Sequence, residues 1–121
     1  VDPITITRTP WTYREFVQAS KGEFGVAKHG YVVSRSGWFS ERTAGYLASG
    51  KPAVVQDTAF TEWLPTGEGL FAFTDLEEAV AGLTAVDADY ERHCLAARDL
   101  AAAYFGHAQV LDDLLAAVAA G

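Results

Sequence analysis

The sequence predicts an α/β fold, in which a Rossmann-like parallel sheet has helices on both faces and a C-terminal helical pair. Short apolar segments alternate with longer segments in which apolar residues recur at helical spacing. Strands separated by helices require parallel crossovers, and a parallel sheet is normally covered on both faces. With 121 residues, 50% of them hydrophobic, the chain can bury one sizeable core, so residues 1–121 are predicted to form a single domain.

The first half of the chain begins with a predicted helix over residues 13–20. Thr12 and Glu15 have the spacing of a capping box, in which two side chains satisfy free amides at a helix start, and Gly22 ends the helix. Residues 24–27 are apolar and bounded by polar residues, which is typical of a buried strand. A loop follows this strand.

Helix and strand alternate again in the middle of the chain. Helical spacing over residues 40–49 ends at Gly50. Strands are then predicted over residues 52–56 and 69–73, with a loop between them.

The last third of the sequence is predicted to be helical. Thr74 and Glu77 form a second capping box, which starts a helix over residues 75–86. Further helices are predicted over residues 87–105 and 107–119. In the last helix one face carries the apolar residues Val110, Leu111, Leu114, Leu115 and Val118.

Charge is distributed unevenly along the chain. The net charge of −7 argues against a nucleic-acid-binding protein with a broad basic face. Residues 1–51 carry seven lysines and arginines against four acids, whereas residues 52–121 carry two against twelve. The cations between Lys28 and Arg42 therefore mark the predicted place for an anionic small ligand, unless both halves are simply solvated surface.

The cysteine and histidine content predicts neither a disulfide nor a metal site. Cys94 is the single cysteine, and a lone thiol fits a reducing cytoplasm, which is the expected location. His29, His93 and His107 lie too far apart for a zinc-type spacing, and the first two are expected to be surface or capping groups. No apolar run reaches about 18 residues, so no membrane span is expected.

The segment 34–43, SRSGWFSERT, is the predicted ligand-binding loop. Ligands of open α/β sheets gather where a strand ends and the next helix presents free amides and its positive dipole end. Gly37 allows a close backbone approach, and the hydroxyls of Ser36 and Ser40 can donate to phosphate oxygens. Arg42 lies in the first helical turn, so the segment predicts a diphosphate site.

The same residues also have purely structural interpretations. In this interpretation Ser40 is a helix cap with no role in ligand binding, and Arg42 pairs with a nearby carboxylate. Trp38 and Phe39 are interpreted as core anchors. Spacing alone does not decide, because the chain has neither a GxxxxGK[ST] nor a GxGxxG motif.

An ordered set of features runs through SGWFSERTAGYLASGKPAVVQDTAFTEWLPTGEGLFAFTDLEEAVAGL. The features, after the loop and helix, are Ala48-Ser49-Gly50, Pro52-Ala53-Val54-Val55, Glu62, Gly69-Leu70 and Glu77-Glu78-Ala79. Their order resembles the C-terminal, nucleotide-sugar-binding half of GT-B glycosyltransferases of the group 1 type, and the likeness covers roughly residues 12–118.

The resemblance implies that a sugar-nucleotide diphosphate rests on the helix that starts near Ser40. Its donor is a nucleotide-diphosphate sugar, and no further cofactor or metal is implied. The residues it places in contact with the donor are Lys28, Ser36, Gly37, Ser40, Glu41, Arg42, Thr43, Asp57, Thr58 and Glu62.

The sequence departs from the family at the ribose. Many relatives carry two glutamates eight positions apart, whereas Gly37 and Gly45 occupy those positions here. Ribose recognition therefore differs, or Glu41 substitutes, or activity has been lost. The family also has an N-terminal acceptor-binding lobe that this chain lacks, so the catalytic residues are not identified and the isolated chain is expected to be inactive.

Two alternatives from other functional classes stay open. A noncatalytic binding or scaffolding domain would keep the fold without the reaction, and the missing glutamates favour it. A receiver-type signalling domain would use Asp57 as its phosphate acceptor, but the acidic pair that such a domain needs after its first strand is absent.

Overall fold

The computed structural model describes all 121 residues and confirms a mixed α/β fold. Its sheet is small, with three parallel strands that lie side by side in chain order. The elements are helices α1 (Pro3–Ile6) and α2 (Pro10–Ala19), strand β1 (Glu23–Gly25), helices α3 (His29–Val33) and α4 (Glu41–Ala48), strand β2 (Ala53–Gln56), a 3-10 turn (Phe60–Glu62), strand β3 (Leu70–Phe73), and helices α5 (Leu76–Ala88), α6 (Tyr90–Phe105) and α7 (His107–Ala120).

The strand register places the carboxyl ends of the strands at one edge of the sheet. Phe24 of β1 pairs with Val54 of β2, which pairs with Phe71 of β3. Because all three strands run the same way, the segments that follow β1 and β2 emerge side by side. The predicted ligand loop reaches the same edge.

The hydrophobic core consists of two clusters that take alternate residues of β2. Val54 belongs to the smaller cluster, with Ala79 and Val86 of α5. Ala53 and Val55 belong to the larger one, because neighbouring strand residues point in opposite directions. The buried members of the larger cluster are Leu47, Ala53, Val55, Phe60, Leu64, Leu70, Ala97, Leu100 and Ala101.

Helix α2 starts at Pro10, so the start predicted at Tyr13 is wrong. Thr9 is the N-cap, and its hydroxyl accepts from the Thr12 amide over 3.1 Å while the Thr12 hydroxyl accepts from the Thr9 amide over 3.1 Å. Thr12 therefore has the role in the capping box that the prediction gave to Glu15. Pro10 favours this register because its ring fixes a helical φ and it lacks an amide that would need a partner.

Other boundaries also differ from the predicted ones. Helix α1 lies in a segment for which no element was predicted, α3 lies where a loop was predicted, and α5 continues past residue 86 so that only Asp89 separates it from α6. The predicted capping box of Thr74 and Glu77 is wrong, because Asp75 is the N-cap of α5. Asp75 accepts from the Glu78 amide over 2.8 Å, and Glu78 accepts from the Thr74 amide over 2.6 Å.

His93, expected to be a surface or capping group, is buried and not at the surface. Its Nδ1 accepts from the Gly69 amide over 3.2 Å, which joins α6 to the residue before β3. Gly69 has a φ of +73° and lies so close to α6 that an added Cβ would stand 2.7 Å from the Cα of Ala97. Only glycine combines that conformation with that approach.

The apolar face predicted for the last helix lies at the surface of α7, which buries none of its residues. None of the helices is both long enough and apolar enough for a membrane crossing. The exposed apolar side chains of α7 are Val110, Leu111, Leu114, Leu115 and Val118.

Candidate functional site

The helix predicted near Ser40 is confirmed, and its first turn has free backbone donors. The Ser40 hydroxyl caps α4 by accepting from the Arg42 amide over 3.2 Å. The amides of Glu41 and Thr43 donate to no group of the protein. Such unpaired amides carry the partial positive charge of a helix start.

A cavity of about 240 Å³ opens beside this helix start. It lies at the carboxyl ends of β1 and β2, between Gly25 on one strand and Gln56 on the other. Ser40 and Thr43 of the α4 start also line it. The helix start is therefore open to a small ligand rather than filled by its own side chains.

The charged side chains that line the cavity are both cations. Lys28 is exposed at its rim and makes no ion pair in the structure. Arg42 lines the cavity from α4, and no aspartate or glutamate lines it. The cavity therefore favours an anion over a neutral or cationic ligand.

Arg42 forms an ion pair with Glu23. The sequence had left open that Arg42 pairs with a nearby carboxylate, and the structure contains such a pair. The Nε of Arg42 donates to Oε1 of Glu23 over 2.6 Å. This hydrogen bond raises the pKa of Arg42 above its ordinary value, although burial acts in the opposite direction. The two side chains differ in exposure, at 55% for Arg42 and 5% for Glu23, so the arginine reaches the surface while its partner stays in the interior.

Two aromatic rings line the cavity next to the cations. The ring centroids of Tyr31 and Trp38 are 5.2 Å apart, and their planes lie 20° from parallel. Trp38 is 47% exposed, so its interpretation as a core anchor is wrong. Nothing in the sequence distinguishes Tyr31 as a site residue, because it lies in the apolar run GYVV of a helix that the pattern did not predict.

Phe39 is a core anchor, as predicted. It packs against the larger hydrophobic cluster while one side of it lines the cavity. Its ring makes an edge contact with Phe60 at 5.2 Å and stacks on Phe105 at 5.4 Å. Phe39 therefore joins the wall of the cavity to the hydrophobic core.

Ser36 and Gly37 shape the loop and do not line the cavity. The Ser36 hydroxyl accepts from the Trp38 amide over 3.2 Å. Gly37 has a φ of +72°, and its amide donates to the Thr58 carbonyl over 2.8 Å. Thr58 in turn donates its hydroxyl to the Trp38 carbonyl over 2.6 Å, and it does line the cavity.

Asp57 organises the turn that follows β2. Its two carboxylate oxygens accept from the Ala59 amide over 2.9 Å and from the Thr61 hydroxyl over 3.0 Å. No group of acidic, histidine or cysteine side chains in the structure is arranged to hold a metal ion. The acidic cluster of a receiver-type domain is therefore absent around Asp57.

Glu41 and Glu62 also lie outside the cavity. Glu41 is exposed in the first turn of α4. Glu62 pairs with Arg35 over 2.7 Å at the surface. Of the predicted contact residues, the structure brings together Lys28, Ser40, Arg42, Thr43 and Thr58, whereas Ser36, Gly37, Glu41, Asp57 and Glu62 point to other partners or to solvent.

Gln56 and Gly25 line the cavity although the sequence did not mark them. The Gln56 side chain accepts from the Ala27 amide over 3.1 Å, which leaves its amide nitrogen free to donate. Their position at strand ends is the signal that could have found them, since ligands of such sheets bind there.

No protein-family model, curated protein or solved structure matches the chain.

Proposed function

We propose that the chain is the nucleotide-sugar-binding lobe of a GT-B glycosyltransferase and that its cavity binds the donor diphosphate. The observation that carries the proposal is the composition of the cavity. Lys28 and Arg42 line it beside a helix start at which the amides of Glu41 and Thr43 have no acceptor in the protein, and no carboxylate lines it. Phosphate oxygens are stabilised by such donors.

The size of the cavity indicates which part of the donor it takes. Its volume of about 240 Å³ is below the range of roughly 300–1,000 Å³ that encloses a drug-sized ligand. A diphosphate fits within it, while the base of the nucleotide lies against the exposed face of Trp38. The free amide of Gln56 is available to a sugar hydroxyl.

The proposed chemical role is to stabilise the leaving group. As the bond between sugar and phosphate breaks, negative charge accumulates on the diphosphate. Lys28, Arg42 and the α4 amides stabilise that charge, and Arg42 needs little reorganisation because its hydrogen bond with Glu23 already holds it in place. The acceptor and the general base belong to an N-terminal lobe in this proposal, so the isolated chain binds the donor without turning it over.

A noncatalytic binding domain is the second candidate. It is favoured by the absence of any carboxylate from the cavity, since Glu41 lies outside and a ribose diol is commonly held by a carboxylate in Rossmann-like folds. This candidate shares the anion site with the first, so binding of the donor and transfer of the sugar must be tested separately.

Titration of the chain with UDP, dTDP and GDP tests the proposal. Calorimetry gives the dissociation constant, and amide resonances are expected to shift in residues 28–43 and 56–58. Lys28→Ala is expected to weaken binding at least tenfold, because a charge-assisted hydrogen bond is lost. Lys51→Ala is the matched control, since Lys51 lies before the amino end of β2, away from the cavity. No response at millimolar nucleotide would contradict the proposal.

A further inference from the structure

We propose that Glu23 is a positioning residue, which holds Arg42 so that the guanidinium group meets an anion in the cavity. The inference rests on the proposed function only in requiring that the cavity takes an anion.

The guanidinium group of Arg42 is held from one side only. Its Nε donates to Oε1 of Glu23, and neither terminal nitrogen has an acceptor in the protein. Those nitrogens carry the remaining four of the five N–H donors of an arginine. The contact therefore restricts the rotation of the side chain while it leaves most of the donors for a ligand.

Because Glu23 is buried, its ion pair with Arg42 is costly to break. The side chain is 5% exposed, and its second oxygen, Oε2, is buried without any hydrogen-bond partner. A buried carboxylate that loses its partner is costly, so Arg42 cannot leave Glu23 without a large loss of stability. An arginine fixed in this way loses little conformational freedom when an anion binds.

Gly25 leaves room between the cavity and the ion pair. Its φ lies outside the left-handed region, so backbone conformation does not require glycine there. A Cβ at this position would stand 3.1 Å from the side chain of Val55, 3.7 Å from Oε1 of Glu23 and 3.8 Å from a terminal nitrogen of Arg42. Glycine inside a strand often marks the close approach of a ligand, and here it keeps the guanidinium accessible.

Glu23 acts on an anion in two opposite ways, and two substitutions separate them. Its acceptor oxygen positions Arg42, whereas its negative charge repels the anion. Glu23→Gln keeps an acceptor of the same length and removes the charge. Glu23→Ala removes both, so a positioning role predicts that the two variants differ.

The test uses inorganic pyrophosphate as the probe and calorimetry as the measurement. Glu23→Ala is expected to bind pyrophosphate about tenfold more weakly than the wild type, and Glu23→Gln to bind it at least as tightly. In the Arg42→Ala background, Glu23→Ala should weaken binding no further, because its positioning effect acts only through Arg42 and the loss of its negative charge can only favour the anion. Wild-type affinity in a folded Glu23→Ala variant would overturn the inference.

A ligand-independent measurement keeps the inference testable if Glu23→Ala fails to fold. The Nε–H resonance of Arg42 should exchange slowly with water in the wild type and in Glu23→Gln. Fast exchange in the wild type would overturn the positioning role, as would loss of pyrophosphate binding in a folded Glu23→Gln. If the wild type binds pyrophosphate but none of the nucleotides, the donor function fails while the role of Glu23 stands.

Discussion

The indole ring of Trp38 stacks on the phenol ring of Tyr31, with their centroids 5.2 Å apart. Both rings lie beside the cavity, and Trp38 keeps 47% of its surface exposed. An exposed flat ring next to Lys28 offers a stacking surface and a charge to the same ligand. The pair therefore favours an anion that carries a planar or cyclic group over a bare phosphate.

Trp38→Ala is expected to weaken the binding of a nucleoside diphosphate and to leave the binding of pyrophosphate nearly unchanged. Stacking of a base on an aromatic ring contributes about 1–3 kcal/mol, so the dissociation constant should rise about fivefold to a hundredfold. Calorimetry with UDP and with pyrophosphate measures the two effects. Trp11→Ala is the control, because Trp11 is an exposed tryptophan of α2 outside the cavity. Equal losses for both ligands would show that Trp38 does not stack on the base.

Arg42→Ala is expected to lower the free energy of unfolding as well as the affinity for anions. Removal of the arginine would leave the Glu23 carboxylate buried without a partner. The expected loss is about 1–3 kcal/mol, the usual cost of an unsatisfied buried group. Urea unfolding measures it. Adding Glu23→Gln should recover part of the loss, because a neutral amide is easier to bury, and no recovery would contradict this explanation.

Gly69→Ala is expected to destabilise the fold far more than Gly67→Ala. Both glycines have positive φ, at +73° and +107°, so both substitutions strain the backbone by about 1–2 kcal/mol. Only at Gly69 would the new Cβ overlap α6, whereas nothing lies within 4 Å at Gly67. The overlap should add about 2 kcal/mol or more. Similar midpoints of urea unfolding for the two variants would contradict the close contact between Gly69 and α6.

Tyr90 is expected to make stability fall in alkaline solution. Burial, followed by the influence of the neighbouring Cys94 thiol, raises the pKa of Tyr90 from 10.0 to about 12. The folded state therefore holds this proton more tightly than the unfolded state does. The resulting stability is complete below about pH 10 and is lost as the pH rises towards about 12.

Unfolding of wild type and Tyr90→Phe at about pH 9 and pH 11.5 tests this dependence. The variant should lose less stability between the two values. Burial also raises the pKa of Tyr13, so both proteins should lose some stability at high pH. The test is therefore the difference between the stability losses of the wild type and the variant. Tyr104→Phe, in the same helix, should behave as the wild type does.

The sequence predicted β2, β3 and the long helices well because their signals are local, whereas β1 ends two residues before the end of the predicted strand 24–27. Gly50 and Gly106 both mark helix ends that the structure contains. Helix starts were predicted less accurately, since several neighbouring residues can cap. The pair Thr9 and Thr12 and the pair Thr12 and Glu15 both have the spacing of a capping box. Pro10 favours the first pair, because proline is suited to the first position of a helix.

The site could be predicted only in part because its key contacts join distant positions. Ser40 and Arg42 were identifiable from their place at a helix start. The ion pair of Arg42 with Glu23 spans 19 positions, and no local pattern reveals it. The exposed position of Trp38 depends on α3, a short helix without a clear periodic signal.

The stacking of Phe39 on Phe105 limits how far the protein can be shortened from its C-terminal side. Phe105 is the last residue of α6, so the aromatic side of the cavity is completed only near the end of the chain. A fragment cut after α5 would retain every cation and hydroxyl of the cavity and still lose the packing behind Phe39. The loop of residues 34–43 is therefore not self-sufficient, and grafting it onto another scaffold requires an equivalent of α6.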